Sequence, residues 1–235
     1  MYGGSAERHP MGNALQLAKL AIGKKESPGI RPITVGNVWR RLLEKLHYGS
    51  SIKKANDDGV FLPTQVGAGG VRDAIDATQH ALNDFCFQVE SDSATDWIGL
   101  KIDGSNAYNN INRFEMLKRA QLLNPGSLTF DLNCYQADSA LYVCDTEGVV
   151  ILLSAEGFQQ GGPKSGYNFC LGLQPLIDSI KAKFPDIPFN IWYQDDGTLV
   201  GPRAAMIEVI QHILEFGPSC GFFMNLRIRE IKRIR

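Results

Sequence analysis

Two apolar segments of this chain end in aspartate, and these acids constrain the fold more than any other feature. Residues 100–102 (Leu-Lys-Ile) lead directly into Asp103, and residues 191–194 (Ile-Trp-Tyr-Gln) lead into Asp195 and Asp196. A carboxylate beside a hydrophobic core is costly unless it is paired or binds a cation. We therefore expect two adjacent strands whose ends bring the three aspartates together as oxygen ligands for hard divalent ions such as Mg²⁺.

Each of these acids also has an ordinary structural explanation. Asp195, Asp196 and Gly197 form a common turn sequence, because aspartate and glycine both suit tight hairpins. Asp103 alone is equally well explained as a turn former at the end of a strand. Only the motifs around these acids favour a metal site over two turns.

Helix-like and strand-like patterns alternate along the chain, which predicts an α/β (α+β) fold. The predicted strands cover residues 97–102, 141–144, 149–153, 191–194, 198–200 and 222–226. Predicted helices begin near residues 38, 75, 111, 164 and 204. The first of these helices has an apolar side made of Val38, Leu42, Leu43 and Leu46. Residues 15–22 also have helix-like spacing, and Asn-Pro-Gly at 124–126 predicts a helix break.

Composition and residue spacing argue against several other classes of protein. The five cysteines never occur as C-x-x-C and the four histidines are dispersed, which disfavours a disulfide framework or a zinc site. No apolar run approaches the roughly 20 residues of a membrane-spanning helix, and residues 1–10 are too polar for a signal peptide. We expect an intracellular protein, nuclear or cytoplasmic rather than secreted, with no membrane partner.

Charge is distributed unevenly along the chain. Residues 1–60 hold ten Lys and Arg against five Asp and Glu, whereas the whole chain has a formal net charge of −1. A basic region combined with an acidic centre suits a protein that holds a polyanion near metal-binding carboxylates. Charge alone would be explained as well by an ordinary solvated surface.

Six segments, in order, resemble motifs of reverse transcriptases from non-LTR (LINE-type) retrotransposons. They span about residues 30–226, and six motifs in the right order are far more specific than one. They are R-P-I at 31–33, Q-V-G at 65–67, L-K-I-D-G-S-N-A-Y-N-N-I-N-R at 100–113 (motif A), E-G-F-Q-Q-G-G-P at 156–163 with the helix-like run to 176 (motif B), Y-Q-D-D at 193–196 (motif C) and G-F-F-M-N-L at 221–226 (motif D).

The resemblance implies the architecture of a right-hand polymerase with fingers and a ferredoxin-like palm. The implied regions are fingers over 1–90, palm with motif A over 91–121, a return to the fingers over 122–154, and palm with motifs B, C and D over 155–235. The chain ends soon after motif D, so a thumb is expected to be absent. The expected partners then include the thumb and other domains of a larger polyprotein.

The resemblance also implies a function, namely the core of an RNA-directed DNA polymerase (reverse transcriptase). Such a nucleotidyltransferase extends a DNA primer on an RNA template with deoxynucleoside triphosphates. Asp103, Asp195 and Asp196 would be its catalytic residues and would hold two Mg²⁺ ions, for which Mn²⁺ can substitute.

Four further residues acquire substrate-binding roles from the same resemblance. Tyr108 falls where reverse transcriptases carry an aromatic steric gate against the ribose 2′-hydroxyl, although an aromatic at this point could equally be part of the core. Gln160 and Gly161 would form the floor under the incoming nucleotide or template base. Arg31 would reach the triphosphate of the incoming nucleotide. Four nearby cations could help Arg31 at the triphosphate, although an exposed cationic helix face is the favoured interpretation: Lys24, Lys25, Arg40 and Arg41.

The sequence departs from the family pattern at three positions. Gly162 stands where many relatives carry the aspartate of Q-G-D-P, and Lys164 where they carry an apolar residue. Ile228 occupies the motif D position that relatives commonly give to a proton-donating lysine. These departures keep open a catalytically inactive, reverse-transcriptase-like remnant that acts only as a nucleic-acid-binding module. An RNA-dependent RNA polymerase shares the aspartates but rarely has an aromatic gate.

Overall fold

A computed structural model of the protein describes residues 18–24, 30–69, 74–90, 96–144, 148–225 and 231–233. Its strands are β1 (Ala18–Lys24), β2 (Ile30–Gly36), β3 (Trp97–Ile102), β4 (Ser139–Cys144), β5 (Val149–Ser154), β6 (Phe189–Tyr193), β7 (Asp196–Pro202) and β8 (Ile231–Arg233). Its helices are α1 (Val38–Asp57), α2 (Ala74–Glu90), α3 (Ala107–Asn110), α4 (Arg113–Leu123), α5 (Pro125–Tyr135), α6 (Ser165–Lys183) and α7 (Arg203–Phe216). In this described part, no helix combines the length and apolarity needed to cross a membrane.

The first sheet has the strand order β2-β1-β4-β5. The β4–β5 pair is the antiparallel hairpin predicted from the sequence. The helix-like spacing at 15–22 was misleading, because residues 18–22 belong to strand β1 and residues 15–17 lie outside the described part. Strand β1 pairs with β2 along its whole length, from Ala18 opposite Gly36 to Lys24 opposite Ile30. This long-range backbone pairing outweighs the local spacing of apolar side chains.

The second sheet has the strand order β6-β7-β3-β8, and each neighbouring pair is antiparallel. When the elements between β3 and α6 are left out, the chain order β3-α6-β6-β7-α7-β8 and this strand order match a ferredoxin-like arrangement. The strand predicted at 222–226 is wrong for its described residues: Met224 only forms an isolated bridge with Gly104. Strand β8 takes the place beside β3 instead, with Ile231 opposite Leu100.

Two predictions about helices need correction. Residues 124–126 do not only end helix α4, because Pro125 begins helix α5 at once; proline suits the first turn of a helix, where its missing N–H needs no partner. Helix α1 exposes most of the apolar side predicted for it, with Val38 77% and Leu46 65% exposed. Its buried residues include Arg40 instead.

Helix α6 forms the centre of the hydrophobic core. It is buried on almost all sides, from Tyr167 through Leu171 to Ile180. A helix that is apolar nearly all round belongs in a protein interior. The core continues through Trp192 and Leu199 of the second sheet, so the strands that carry the candidate aspartates rest on the most buried part of the molecule.

Candidate active site

The hairpin between β6 and β7 carries two of the three predicted aspartates. Tyr193 pairs with Asp196, which leaves Gln194 and Asp195 as a two-residue loop. Gln194 has the left-handed φ of +57°, a conformation that tight hairpin loops require and that non-glycine residues adopt uncommonly. The sequence predicted a hairpin here, but its loop is Gln194–Asp195 and not the expected Asp195–Gly197, because Asp196 and Gly197 already belong to strand β7. The tip of the hairpin therefore presents Asp195.

Asp103 lies beside this hairpin because β3 is paired with β7. The register places Ile102, the last residue of β3, opposite Gly197, and Asp103 follows directly after it. A Cβ atom added to Gly104 would lie 3.3 Å from the Asp195 Cβ and only 2.7 Å from the Phe222 ring. Glycine at 104 thus allows the two aspartate-bearing segments to approach closely.

Asn225 supports Asp103 on the side away from the hairpin pairing. The Asn225 backbone N–H donates to the Asp103 carbonyl at 2.8 Å, and the Asn225 side-chain amide donates to Asp103 Oδ2 at 3.2 Å. The sequence identified Asn225 only as a motif D landmark. No local sequence pattern could predict its contact with Asp103, because the two residues are 122 positions apart.

The donor chemistry of this edge fits Mg²⁺. Asp103 and Asp196 are exposed and Asp195 is half-buried, so solvent or a ligand can reach the carboxylates. Mg²⁺ is commonly held by one or two carboxylates together with substrate phosphates. Among the described residues, no group of three or more His, Cys, Asp or Glu side chains is arranged to hold a metal ion. Metal binding by the three aspartates therefore stays a prediction.

Tyr108 lies on the short helix α3 and faces the same hairpin. Its ring stacks on Phe169 of α6, with centroids 4.5 Å apart and planes inclined by 12°. Its hydroxyl donates to Gln194 Oε1 at 2.9 Å. Burial raises the pKa of the Tyr108 hydroxyl, and the neighbouring Cys170 and Asp195 raise this pKa further. The hydroxyl therefore keeps its proton and acts as a hydrogen-bond donor.

Gln65, from the Q-V-G motif, joins the hairpin to a segment far away in sequence. Its side-chain Nε2 donates to the Gln194 carbonyl at 3.1 Å, and its Oε1 accepts from the Gln194 N–H at 3.0 Å and from the Gly67 N–H at 2.9 Å. On either side of Gln65, Thr64 and Val66 bond to the Trp192 backbone, which extends the edge of β6. Sequence comparison identified the motif, but not its contact with the hairpin.

The loop before helix α6 contains the predicted floor residues. The Gln160 carbonyl accepts from the Thr34 N–H of β2 at 2.8 Å. Gly161 is exposed and has a φ of +110°, which only glycine adopts without strain. A Cβ there would come within 3.0 Å of the Thr34 carbonyl. The loop is thus joined to the first sheet, while its nucleotide contacts stay a prediction.

The structure describes only some of the cationic residues for which the sequence predicted a position. The Arg31 backbone pairs with Gly23 between β1 and β2, but its side chain lies outside the described part, as do the Lys24 side chain, all of Lys25 and the motif D residue Ile228. Arg41 is exposed as expected.

Arg40 is not part of an exposed cationic face. It is 1% exposed, forms an ion pair with Glu44 at 2.9 Å and lies over the Tyr135 ring at 5.0 Å. Such a pair at i and i+4 gives a buried arginine both a counter-charge and a hydrogen-bond acceptor.

Lys164, the unusual residue of motif B, has a structural role. It is 1% exposed and its Nζ lies 2.6 Å from Asp131 Oδ2 and 3.2 Å from Ser127 Oγ, both on α5. A Cβ on Gly162 would meet Glu44 Oε2 at 2.9 Å. An acidic side chain at 162 would therefore be crowded against an existing carboxylate.

Comparison with known proteins finds a retrotransposon protein and telomerase structures that are similar to this chain. The chain is 24% identical over 234 residues to the 132 kDa protein of the retrotransposable element SLACS from Trypanosoma brucei gambiense. The match covers 94% of this chain and 18% of that protein. No protein-family model matches the chain.

Telomerase structures have a similar fold. Apo telomerase from Candida tropicalis, truncated from its C-terminal domain, aligns with a TM-score of 0.66 at 13% identity over 91% of this chain and 49% of that chain. Telomerase from Candida albicans in complex with a TWJ fragment of telomeric RNA aligns with a TM-score of 0.69 at 13% identity over 94% of this chain and 44% of that chain. The resemblance predicted from the motifs is thereby confirmed, and the chain spans less than half of each of these relatives.

Proposed function

We propose that this chain is the core of an RNA-directed DNA polymerase that extends a DNA primer on an RNA template. The single observation that carries the proposal is the position of the Asp195 hairpin beside Asp103, with the Tyr108 ring bonded to its tip. The similarity to a retrotransposon protein supports the reaction class. The RNA fragment bound to the structurally similar C. albicans telomerase supports RNA as a partner.

Asp103, Asp195 and Asp196 would hold two Mg²⁺ ions, or Mn²⁺ in their place. When bound, these ions supply activation of the primer 3′-hydroxyl and neutralisation of charge on the leaving pyrophosphate. The protein's own contribution is to keep the carboxylates at the ends of paired strands, where the hydrogen bonds of Asn225 orient Asp103. Rigid placement of this kind lowers the cost of reaching the reactive geometry.

The remaining roles concern the nucleotide and the template. The Tyr108 ring would occupy the space of a ribose 2′-hydroxyl and so favour deoxynucleotides. Gln160 and Gly161 would lie under the incoming nucleotide or template base, and Arg31 on strand β2 would contact the triphosphate. In this proposal the second sheet is the palm, and the first sheet with its flanking residues is the fingers.

Primer extension tests this proposal. The wild-type chain should add deoxynucleotides to a primed RNA template only with Mg²⁺ or Mn²⁺. Asp195→Asn should reduce the rate by about 100- to 1000-fold, because it removes several kcal/mol of transition-state stabilisation supplied through the metal.

Asp186→Asn is the matched control, since Asp186 lies on the exposed turn between α6 and β6. This variant should extend primers at the wild-type rate. Extension by Asp195→Asn at close to the wild-type rate would refute the assignment. If the wild type binds primed template but extends no primer, the chain is a nucleic-acid-binding module and not a polymerase.

A further inference from the structure

Gln194 occupies a constrained position immediately before Asp195. Its left-handed backbone, with a φ of +57°, is held by the Gln65 side chain. The Gln65 amide bonds to both the N–H and the carbonyl of Gln194, at 3.0 and 3.1 Å. Gln65 is itself 1% exposed, so these bonds are shielded from competing water. The direction in which the Gln194 side chain leaves the hairpin is therefore fixed.

Both ends of the Gln194 side-chain amide are used. Its Oε1 accepts from the Tyr108 hydroxyl at 2.9 Å, and its Nε2 donates to the Gly67 carbonyl at 3.3 Å. Because the Nε2 bond to Gly67 fixes which way the amide is turned, Oε1 is the atom presented to Tyr108. An amide with one donor end and one acceptor end suits this pair of partners.

The surroundings leave the Tyr108–Gln194 pair little freedom. Phe169, which is 0% exposed, stacks on the Tyr108 ring at 4.5 Å. A Cβ on Gly166 of helix α6 would lie 3.1 Å from Gln194 Nε2 and 3.5 Å from the Tyr108 hydroxyl. The ring is thus held by a stack on its face and by a hydrogen bond at its hydroxyl.

We propose that Gln194 is a positioning residue that sets sugar discrimination by holding the Tyr108 ring through its hydroxyl. This inference rests on the proposed function, in which the ring excludes the ribose 2′-hydroxyl. A ring free to tilt about its side-chain bonds would admit a ribonucleotide more easily, whereas a ring bonded to Gln194 cannot tilt without losing that bond. Through this bond, Gln194 links the Tyr108 ring, which acts as the steric gate, to the loop that carries Asp195.

A role limited to hairpin stability makes a different prediction. Loss of hairpin order would lower insertion of deoxyribo- and ribonucleotides together, since both need Asp195. Loss of ring positioning would instead change the ratio of the two kcat/KM values, chiefly through a lower KM for ribonucleotides. The ratio is therefore the informative quantity.

The test measures single-nucleotide insertion of dGTP and GTP on a primed RNA template. Gln194→Met removes the acceptor and should lower the dGTP/GTP ratio of kcat/KM by about 3- to 10-fold, the range expected for one hydrogen bond. Tyr108→Phe removes the donor and should have a similar effect. The double variant should lower the ratio no further than either single change, because both remove the same bond.

Two more variants complete the test. Gln194→Glu keeps an oxygen acceptor for the Tyr108 hydroxyl but loses the bond to the Gly67 carbonyl, so its ratio should fall between those of wild type and Gln194→Met. Gln79→Met is the matched control, because the Gln79 amide bonds to Asn83 on an exposed face of α2, and it should leave the ratio unchanged. Thermal unfolding of each variant shows whether it is folded, and Tyr108→Phe carries the test if Gln194→Met does not fold.

The outcomes separate this inference from the proposed function. A wild-type ratio in Gln194→Met and Tyr108→Phe, or fully additive losses in the double variant, would overturn the positioning role while leaving the polymerase intact. If the wild type extends no primer, the quantity compared is the ratio of the dissociation constants of dGTP and GTP from the complex of the chain with the primed template. A wild-type chain that neither extends primers nor binds nucleotides would overturn the proposed function and this inference together.

Discussion

The two sheets of this molecule differ in how firmly their side chains are held. In the first sheet, strand β5 exposes five of its six residues, although Val149, Val150, Ile151, Leu152 and Leu153 are all apolar. In the second sheet, β3 buries alternate residues and β7 buries several successive residues, and both strands pack against helix α7. Buried side chains in a dense interior cannot move without displacing their neighbours.

This difference explains where the candidate chemistry lies. Asp103 and Asp195 belong to the second sheet, next to Trp192 and Leu199, which are 0% exposed. A functional group is held accurately when its supporting residues are themselves locked by packing. The exposed apolar residues of β5 and of α1 provide no such support, so we expect substitutions there to be tolerated.

The largest expected effect on the free energy of unfolding is the difference between substituting a buried lysine and substituting an exposed one. Lys164→Met should lower the free energy of unfolding by about 3–5 kcal/mol, because it leaves the Asp131 carboxylate buried without its counter-charge. Lys54→Met on α1 should cost less than about 0.5 kcal/mol, since the Lys54–Asp58 pair is exposed. Urea unfolding of both variants measures the difference.

A double variant provides the control for Lys164. Lys164→Met combined with Asp131→Leu removes both charges and should recover part of the lost stability, as apolar residues often replace a buried ion pair without loss. Equal losses for Lys164→Met and Lys54→Met would contradict the expected contrast between a buried and an exposed ion pair.

A matched pair of leucines sharpens the same contrast. Leu171→Ala in helix α6, where the leucine is 0% exposed, should cost about 2–5 kcal/mol through lost burial and a cavity. Leu152→Ala on β5, where the leucine is 46% exposed, should stay within about 0.5 kcal/mol of wild type. Both losses would be measured as shifts of the denaturant concentration at the unfolding midpoint, provided that the slope of the free energy of unfolding against denaturant concentration does not change. A large loss from Leu152→Ala would mean that the first sheet is packed more firmly than its exposure indicates.

Local patterns predicted the parts of the fold that local chemistry decides. The turn residues and apolar runs around Asp195 gave the β6–β7 hairpin, and the long apolar pattern after Pro163 gave helix α6. Strand β1 was predicted wrongly because pairing with β2 decides its conformation. Helix α5 was missed because Pro125 suits a helix start as well as a break.

The contacts within the site could not be predicted in the same way. Tyr108 and Gln194 are 86 positions apart, and Gln65 and Gln194 are 129 apart. Residues so distant in sequence leave no periodic signal of their contact. Similarly, the apolar residue that relatives carry at position 164 indicated a buried site, but nothing local identified Asp131 as the partner of Lys164, 33 positions away. The motifs indicated which residues matter, but only the fold brought them together.

The proposed function depends above all on metal binding by the aspartates at the edge of the second sheet. Its most direct test is electron paramagnetic resonance of Mn²⁺ bound to the chain, a primed RNA template and a deoxynucleotide, with a primer that lacks its 3′-hydroxyl. Wild type and Asp186→Asn should retain Mn²⁺ equally, and Asp103→Asn and Asp195→Asn should bind it at least about tenfold more weakly. Equal retention of Mn²⁺ by all four proteins would contradict the account.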